Sequence, residues 1–316
     1  MDLVSFGTGS AQLGSSQVRS AILLSFHGTI ADLDEIPAFL SRVRRGRPAP
    51  PGLLKDLRHR FEAIGGSPLL KITQAQANAL EERLRMPVAL GARLWHPTLG
   101  DVISKLSTRG INRIVSLPLA PQSVHVYHDA IVKALQPFSE IELVRSPAWG
   151  LEPALIDAFA QTIRESLRAL DPSSQPTVGI VLSAHSLPQS VIDAGDPYES
   201  DFRATATEVA SRFPDHRCEI AFQSQGADGG AWLGPDLKTA FAKLLDAGLH
   251  RIVVAPIGFV SDHLETLYDL DIEAKGVAMN MGIIEFVRAP ALNARPQFID
   301  VLEAIVRRTL SNAVAT

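Results

Sequence analysis

The 316-residue chain is about twice the length of a common domain, so one large or two medium domains are expected. Its residues are 46% hydrophobic and 20% charged, with a mean hydropathy of +0.11, which excludes a largely disordered or collagen-like chain. A net charge of −4 argues against a basic nucleic-acid coat, and no run of about eighteen apolar residues predicts a membrane span.

In chain order, residues 1–20 are rich in Gly and Ser and lack a basic run before an apolar core. They read as a flexible tail rather than a signal peptide. Ala21 to Phe26 is an apolar run ending at His27-Gly28-Thr29, the pattern of a buried strand that delivers a polar loop. The same design recurs at Val88 to Leu90, Ile114 to Leu117, Ile141 to Val144, Val178 to Leu182, Ile220 to Phe222, Ile252 to Val254 and Ile283 to Phe286. Between these runs lie helical patterns. After Glu152-Pro153, for example, Leu155, Ile156, Phe159, Ile163, Leu167 and Leu170 share one face, with Pro153 in a tolerated first-turn position.

Strands alternating with helices predict an α/β chain of two Rossmann-like domains, each a parallel four-stranded sheet flanked by helices. Asp171 to Pro176, with two prolines and no apolar anchor, marks the boundary between a first domain at 21–172 and a second at 173–316. The final helix is free to pack back on the first domain. The halves echo one another: Leu24-Ser-Phe-His27 matches Leu182-Ser-Ala-His185, and Gly110-Ile-Asn-Arg-Ile-Val115 matches Gly248-Leu-His-Arg-Ile-Val253. An internal repeat would set two similar domains around a ligand cleft.

Several residues could carry chemistry. Arg42, Arg44, Arg45 and Arg47 precede a proline-rich turn and form either a solvated loop or a patch that recognises carboxylates or phosphates. Gly65-Gly66-Ser67-Pro68 is a turn whose glycines allow close backbone approach. His185 ends a strand, where it either satisfies loop groups or meets a ligand as proton acceptor or metal ligand. Trp95 and Trp232 either fill cores or stack on a planar ligand. Glu265, Asp269 and Glu273 recur every four residues, as an exposed acidic helix face or as a track for cations or protons. His263 could supplement them. The lone Cys218 allows neither an intrachain disulfide nor a multi-thiolate metal site, and it favours a reducing, cytoplasmic setting.

At these motifs the chain resembles the ferrochelatase family, particularly its compact bacterial members. The resemblance rests on Arg44-Arg45-Gly-Arg47, Ala63-Ile-Gly-Gly-Ser-Pro-Leu69, Ser183-Ala-His-Ser-Leu-Pro188, Gln223-Ser, Trp232-Leu-Gly-Pro235 and, above all, Pro256-Ile-Gly-Phe-Val-Ser-Asp-His-Leu-Glu-Thr-Leu-Tyr-Asp269. It implies a chelatase-like fold and a lyase of haem biosynthesis that inserts ferrous iron into a porphyrin with release of two protons. It implies His185 and Glu265 as catalytic and metal-facing residues, with Asp269 and Glu273 as a metal or proton track. His27, Arg44, Arg45, Ser67, Gln122 and Trp232 would contact porphyrin. Coproporphyrin III is the expected substrate; protoporphyrin IX, a cobalt chelatase acting on a more reduced tetrapyrrole, and a non-catalytic porphyrin or haem carrier are the alternatives. Iron would be a substrate, with no tightly bound cofactor and no iron–sulfur cluster. A transient handoff partner is compatible, nucleic acid is not. The chain departs from related sequences at Phe26-His27-Gly28, where a tyrosine often stands in place of His27, and in the shortened glycine–serine–proline turn.

Overall fold

Every apolar run becomes a strand in the computed structural model, which describes residues 18–170, 178–226 and 230–315. Residues 1–17 of the expected tail and the boundary at 171–176 lie outside the described residues. The strands are β1 (Ser20–Phe26), β2 (Val88–Ala92), β3 (Arg113–Pro118), β4 (Glu142–Arg145), β5 (Val178–His185), β6 (Cys218–Gln223), β7 (Arg251–Ala255) and β8 (Glu285–Arg288). They form two all-parallel sheets, ordered β2-β1-β3-β4 and β6-β5-β7-β8. The second order repeats the first, four strands on. Leu24 sits between Leu90 and Leu117 across the ladder, and the helices cover both faces, so the central strands are mostly apolar and are buried even at Ser25, Ser116 and Ser183.

The repeated glycine motif has a physical basis. Gly110 and Gly248 each take a positive φ, of 74° and 77°, just past a helix end. The next amide then reaches back five residues: Ile111 N–H donates to the Leu106 carbonyl at 3.1 Å, and Leu249 N–H to that of Leu244 at 2.9 Å. Each cap turns the chain into the third strand of its sheet.

Two strands start later than expected. Ile141 N–H bonds the Phe138 carbonyl at 3.1 Å in a turn, and Ile283 closes the helix Lys275–Met281 by bonding Ala278 at 3.0 Å. Both isoleucines are buried as cap or turn residues instead of strand residues.

The helix Pro153–Arg168 begins at the proline and buries Leu155, Ile156, Phe159, Ile163 and Leu167. Against it, and against the helix Leu69–Leu84, lies the last helix, Pro296–Ala315. Its Phe298, Ile299, Leu302 and Ile305 belong to one core cluster that includes Ile22 and Leu24 of β1 and Ile180 and Leu182 of β5. Ion pairs from Arg295 to Glu165 (2.7 Å) and from Arg308 to Glu152 (2.6 Å) hold its flanks. The two sheets therefore share a continuous apolar core.

Phe298 is fully buried with its ring 6.2 Å from that of Trp149. Phe298→Ala should cost about 3–5 kcal/mol, read as a lower urea midpoint, whereas exposed Val132→Ala should change stability by less than about 0.5 kcal/mol.

Candidate active site

Parallel strands present their functional loops at their C-terminal ends. His27 follows β1, His185 is the last residue of β5, and Glu265 lies in the helix Leu264–Leu267 after β7. For the β7 loop to pass His185 closely, Gly258 must lie flat against β5. A Cβ there would stand 2.4 Å from the Ala184 Cβ, and Gly258 N–H donates to the Ser183 carbonyl at 3.0 Å.

Two histidine side chains meet at the Glu265 carboxylate. His185 Nε2 is 3.4 Å from one carboxylate oxygen, and His263 Nε2 is 3.5 Å from the other. His185 Nδ1 is paired with the Ser186 carbonyl, and the Tyr198 hydroxyl donates to the His185 carbonyl at 2.9 Å. Gln223, at the end of β6, donates from Nε2 to the Glu265 carbonyl (2.9 Å) and accepts from Ser183 Oγ (2.8 Å). The backbones of both residues are thus held from other elements, His185 by a helix and Glu265 by β6.

The charges follow from these contacts. Burial disfavours the charged form of each partner, but their mutual attraction prevails. His185 is raised above an ordinary imidazole, and Glu265 is held well below an ordinary carboxylate by His185 and His263. His27 behaves oppositely. Its ring is open to the space between the sheets, yet protein surrounds that space. Dehydration lowers its pKa to about 4, with the Arg93 guanidinium pushing the same way and Glu265 opposing. Arg93 also lies 5.6 Å above the ring of buried Tyr127, while its Nε has no hydrogen-bond partner among the described residues.

The acidic row does not run along a regular α-helix. After Leu267 the chain widens into a π-helical segment, Asp269–Ala274, in which Glu273 N–H reaches Tyr268 five residues back, at 3.1 Å. Asp269 is buried beneath it, paired with the Ser224 hydroxyl, and Glu273 is exposed. Burial pushes the Asp269 carboxyl up to about 6, against the pull of Ser224; Glu265 raises it further. Arg60, from the helix Leu53–Ala63 of the first half, bridges the row. It lies 3.1 Å from Asp269, 3.2 Å from Glu273 and 2.8 Å from Asp56. Among the described residues, no three His, Cys, Asp or Glu side chains converge on a preformed metal cage.

The remaining expected contacts lie apart from Glu265. Arg44 Nε donates to the Pro48 carbonyl (3.1 Å) and Arg47 Nε to the Arg44 carbonyl (3.2 Å), folding the basic loop on itself, while Arg45 is exposed with a φ of 54°. Ser67 Oγ accepts the Leu69 N–H at 3.4 Å. Trp232 packs its indole over Gly226 in a loop paired with the one after His185. Gln122 is 2% exposed and donates to Thr205 at 3.2 Å, at the junction of the two halves. A separate cavity of about 540 Å³ opens beside β2, lined by Thr29, Glu35, Trp95, His96 and Lys105, and includes neither His185 nor Glu265. Charge, burial and convergent loops coincide instead at the latter pair.

Sequence reasoning missed Arg60, Arg93, Tyr127 and Tyr198. Arg60 is 209 residues from Asp269 and carried no local signal. Tyr198 had one, in Asp196-Pro197-Tyr198 opening a helix.

Histidine titration by NMR checks the electrostatics. Arg93→Gln should raise the His27 midpoint from about 4, whereas Glu265→Gln should lower those of both His27 and His185.

The comparisons with known proteins show the family and the fold. The ferrochelatase family model matches residues 19–310. The ferrochelatase of Acidobacterium capsulatum is 34% identical, over 94% of this chain and 97% of the relative. The coproporphyrin III ferrochelatase of Bacillus pumilus is 32% identical, over 93% and 98%. Among solved structures, SirB from Bacillus subtilis with Fe3+ superposes with a TM-score of 0.56 over 95% of this chain and 98% of that one; at 15% identity it shows the shared chelatase-like fold alone. With the family model covering almost the whole described chain and relatives matching end to end, the chain belongs to the ferrochelatase family.

Proposed function

We propose that this ferrochelatase inserts ferrous iron into coproporphyrin III, forming coproheme and releasing two pyrrole protons, at the pair His185–Glu265. As a family member it is a metal chelatase of the lyase class, acting in haem biosynthesis. The observation that carries the site is the 3.4 Å contact between His185 Nε2 and a carboxylate that stays ionised. An imidazole so paired accepts a proton readily, because Glu265 stabilises the imidazolium that forms. Asp269, near neutrality, and exposed Glu273 lead outward from it as a proton or metal track.

A free-base porphyrin is planar, with two of its four nitrogens protonated, so metal insertion requires the ring to bend. The shared core gives the cleft walls the stiffness to impose that shape. His27, uncharged across the neutral range, offers an imidazole lone pair from the first sheet. Arg44 and Arg45 stand for propionate recognition, together with Ser67 and Trp232; Gln122 contributes through the wall it braces. An arginine-rich loop suits the four propionates of coproporphyrin better than the two of protoporphyrin, and coproporphyrin III is named for the Bacillus pumilus relative.

Iron is the substrate, and the proposal includes no tightly bound cofactor and no iron–sulfur cluster. No described helix is long and apolar enough to cross a membrane. A cytoplasmic setting is supported by the single Cys218, whose thiol burial pushes up to about 11. A porphyrin or haem handoff partner completes the reading.

Anaerobic absorbance assays with ferrous iron and either ring test it. Multiple turnover should be faster with coproporphyrin III, and His185→Ala or Glu265→Gln should lower kcat by about a hundredfold or more. Faster protoporphyrin IX turnover would reverse the substrate assignment, and stoichiometric binding without turnover would make the chain a carrier.

A further inference from the structure

Outside the site, one of the contacts that join the two halves leads directly to it. His125 lies in the first turn of the helix Val124–Leu135, after β3, and its Nε2 is 3.2 Å from Asp196 Oδ2 in the second half. Asp196 is more buried than a surface partner, with 18% of its side chain exposed. Its other oxygen accepts the Tyr198 N–H at 3.0 Å, at the start of the helix Tyr198–Ala210. The Tyr198 hydroxyl in turn holds the His185 carbonyl at 2.9 Å, and its ring is buried. Three contacts therefore run from the first half to the backbone of His185. Asp201, one turn further, is also within the field of His125. His128 on the same helix does not compete, since its ring is committed to Ser116 and the Ser146 carbonyl.

We infer that His125 is a positioning residue for His185, acting through Asp196 and Tyr198. An exposed contact between polar side chains contributes little by itself. This one differs because its carboxylate also fixes the residue that grips the His185 carbonyl, so losing His125 frees Asp196 to rotate and slackens that grip. The inference rests on the proposed role of His185 in iron insertion.

The test uses the full chain, ferrous iron and coproporphyrin III. His125→Ala should lower kcat about tenfold with the porphyrin KM within about twofold, because a misplaced His185 impairs the reaction more than binding. His125→Gln, whose amide nitrogen can replace Nε2, should recover most of the loss. The double variant His125→Ala/Asp196→Asn should be no slower than the slower single variant. His185 ring signals should shift in NMR spectra of His125→Ala and return in His125→Gln. Unchanged kcat in His125→Ala, multiplicative losses in the double variant, or a loss that Gln does not recover and that tracks a lower Tm would each overturn the inference. If the wild-type chain fails to turn over, the proposed function falls instead, while the NMR shift still decides whether His125 is coupled to His185.

Discussion

An ionised carboxylate enclosed by protein is stable only if its surroundings supply positive charge and hydrogen bonds. Glu265 meets that demand with His185 and His263 on its two oxygens and with Gln223 on its backbone. Much of the second sheet's architecture serves this arrangement. Gly258 lets the β7 loop press against β5, Ser183 orients Gln223, and β5 ends on the histidine itself. The same attraction that keeps Glu265 charged raises the basicity of His185, so electrostatic satisfaction and readiness to accept a proton come from one contact.

The first half answers with opposite chemistry. Dehydration, aided by Arg93, keeps His27 neutral, while Arg60 supplies the charge that the acidic row lacks. A site divided in this way works only if its halves keep a constant separation. The last helix secures this by inserting Phe298, Ile299 and Leu302 into a core shared by both sheets, supported by Arg295 and Arg308 at its flanks. A core packed this closely resists small displacements of one sheet against the other.

Much of this was legible in the sequence because burial leaves periodic traces. All eight strands were marked by apolar runs, and the Gly110 and Gly248 motifs proved to be equivalent helix caps feeding equivalent strands. The strand starts at β4 and β8 were misjudged because Ile141 and Ile283 are apolar for capping reasons, which a run of hydrophobic letters does not distinguish. His185 was singled out by its place at a strand end, Glu265 by the four-residue spacing of the acids, and both by the family motif. Arg60 and Arg93 were not, since a single arginine on a helix or after a strand looks like any solvated charge until the fold brings its partners near. The four-residue spacing of the acids was correctly seen but assumed a regular helix.

That irregularity has an evolutionary corollary. Each residue of an α-helix advances the next by about 100°, so gaining or losing one residue between Asp269 and Ala274 would convert the widened turn and swing everything beyond it around the axis. Glu273 would leave Arg60, and the helix Lys275–Met281 would present a different face to its sheet. Loops elsewhere in the chain can lengthen or shorten during divergence. Here a change of length would cost these contacts, whereas a change of letter need not.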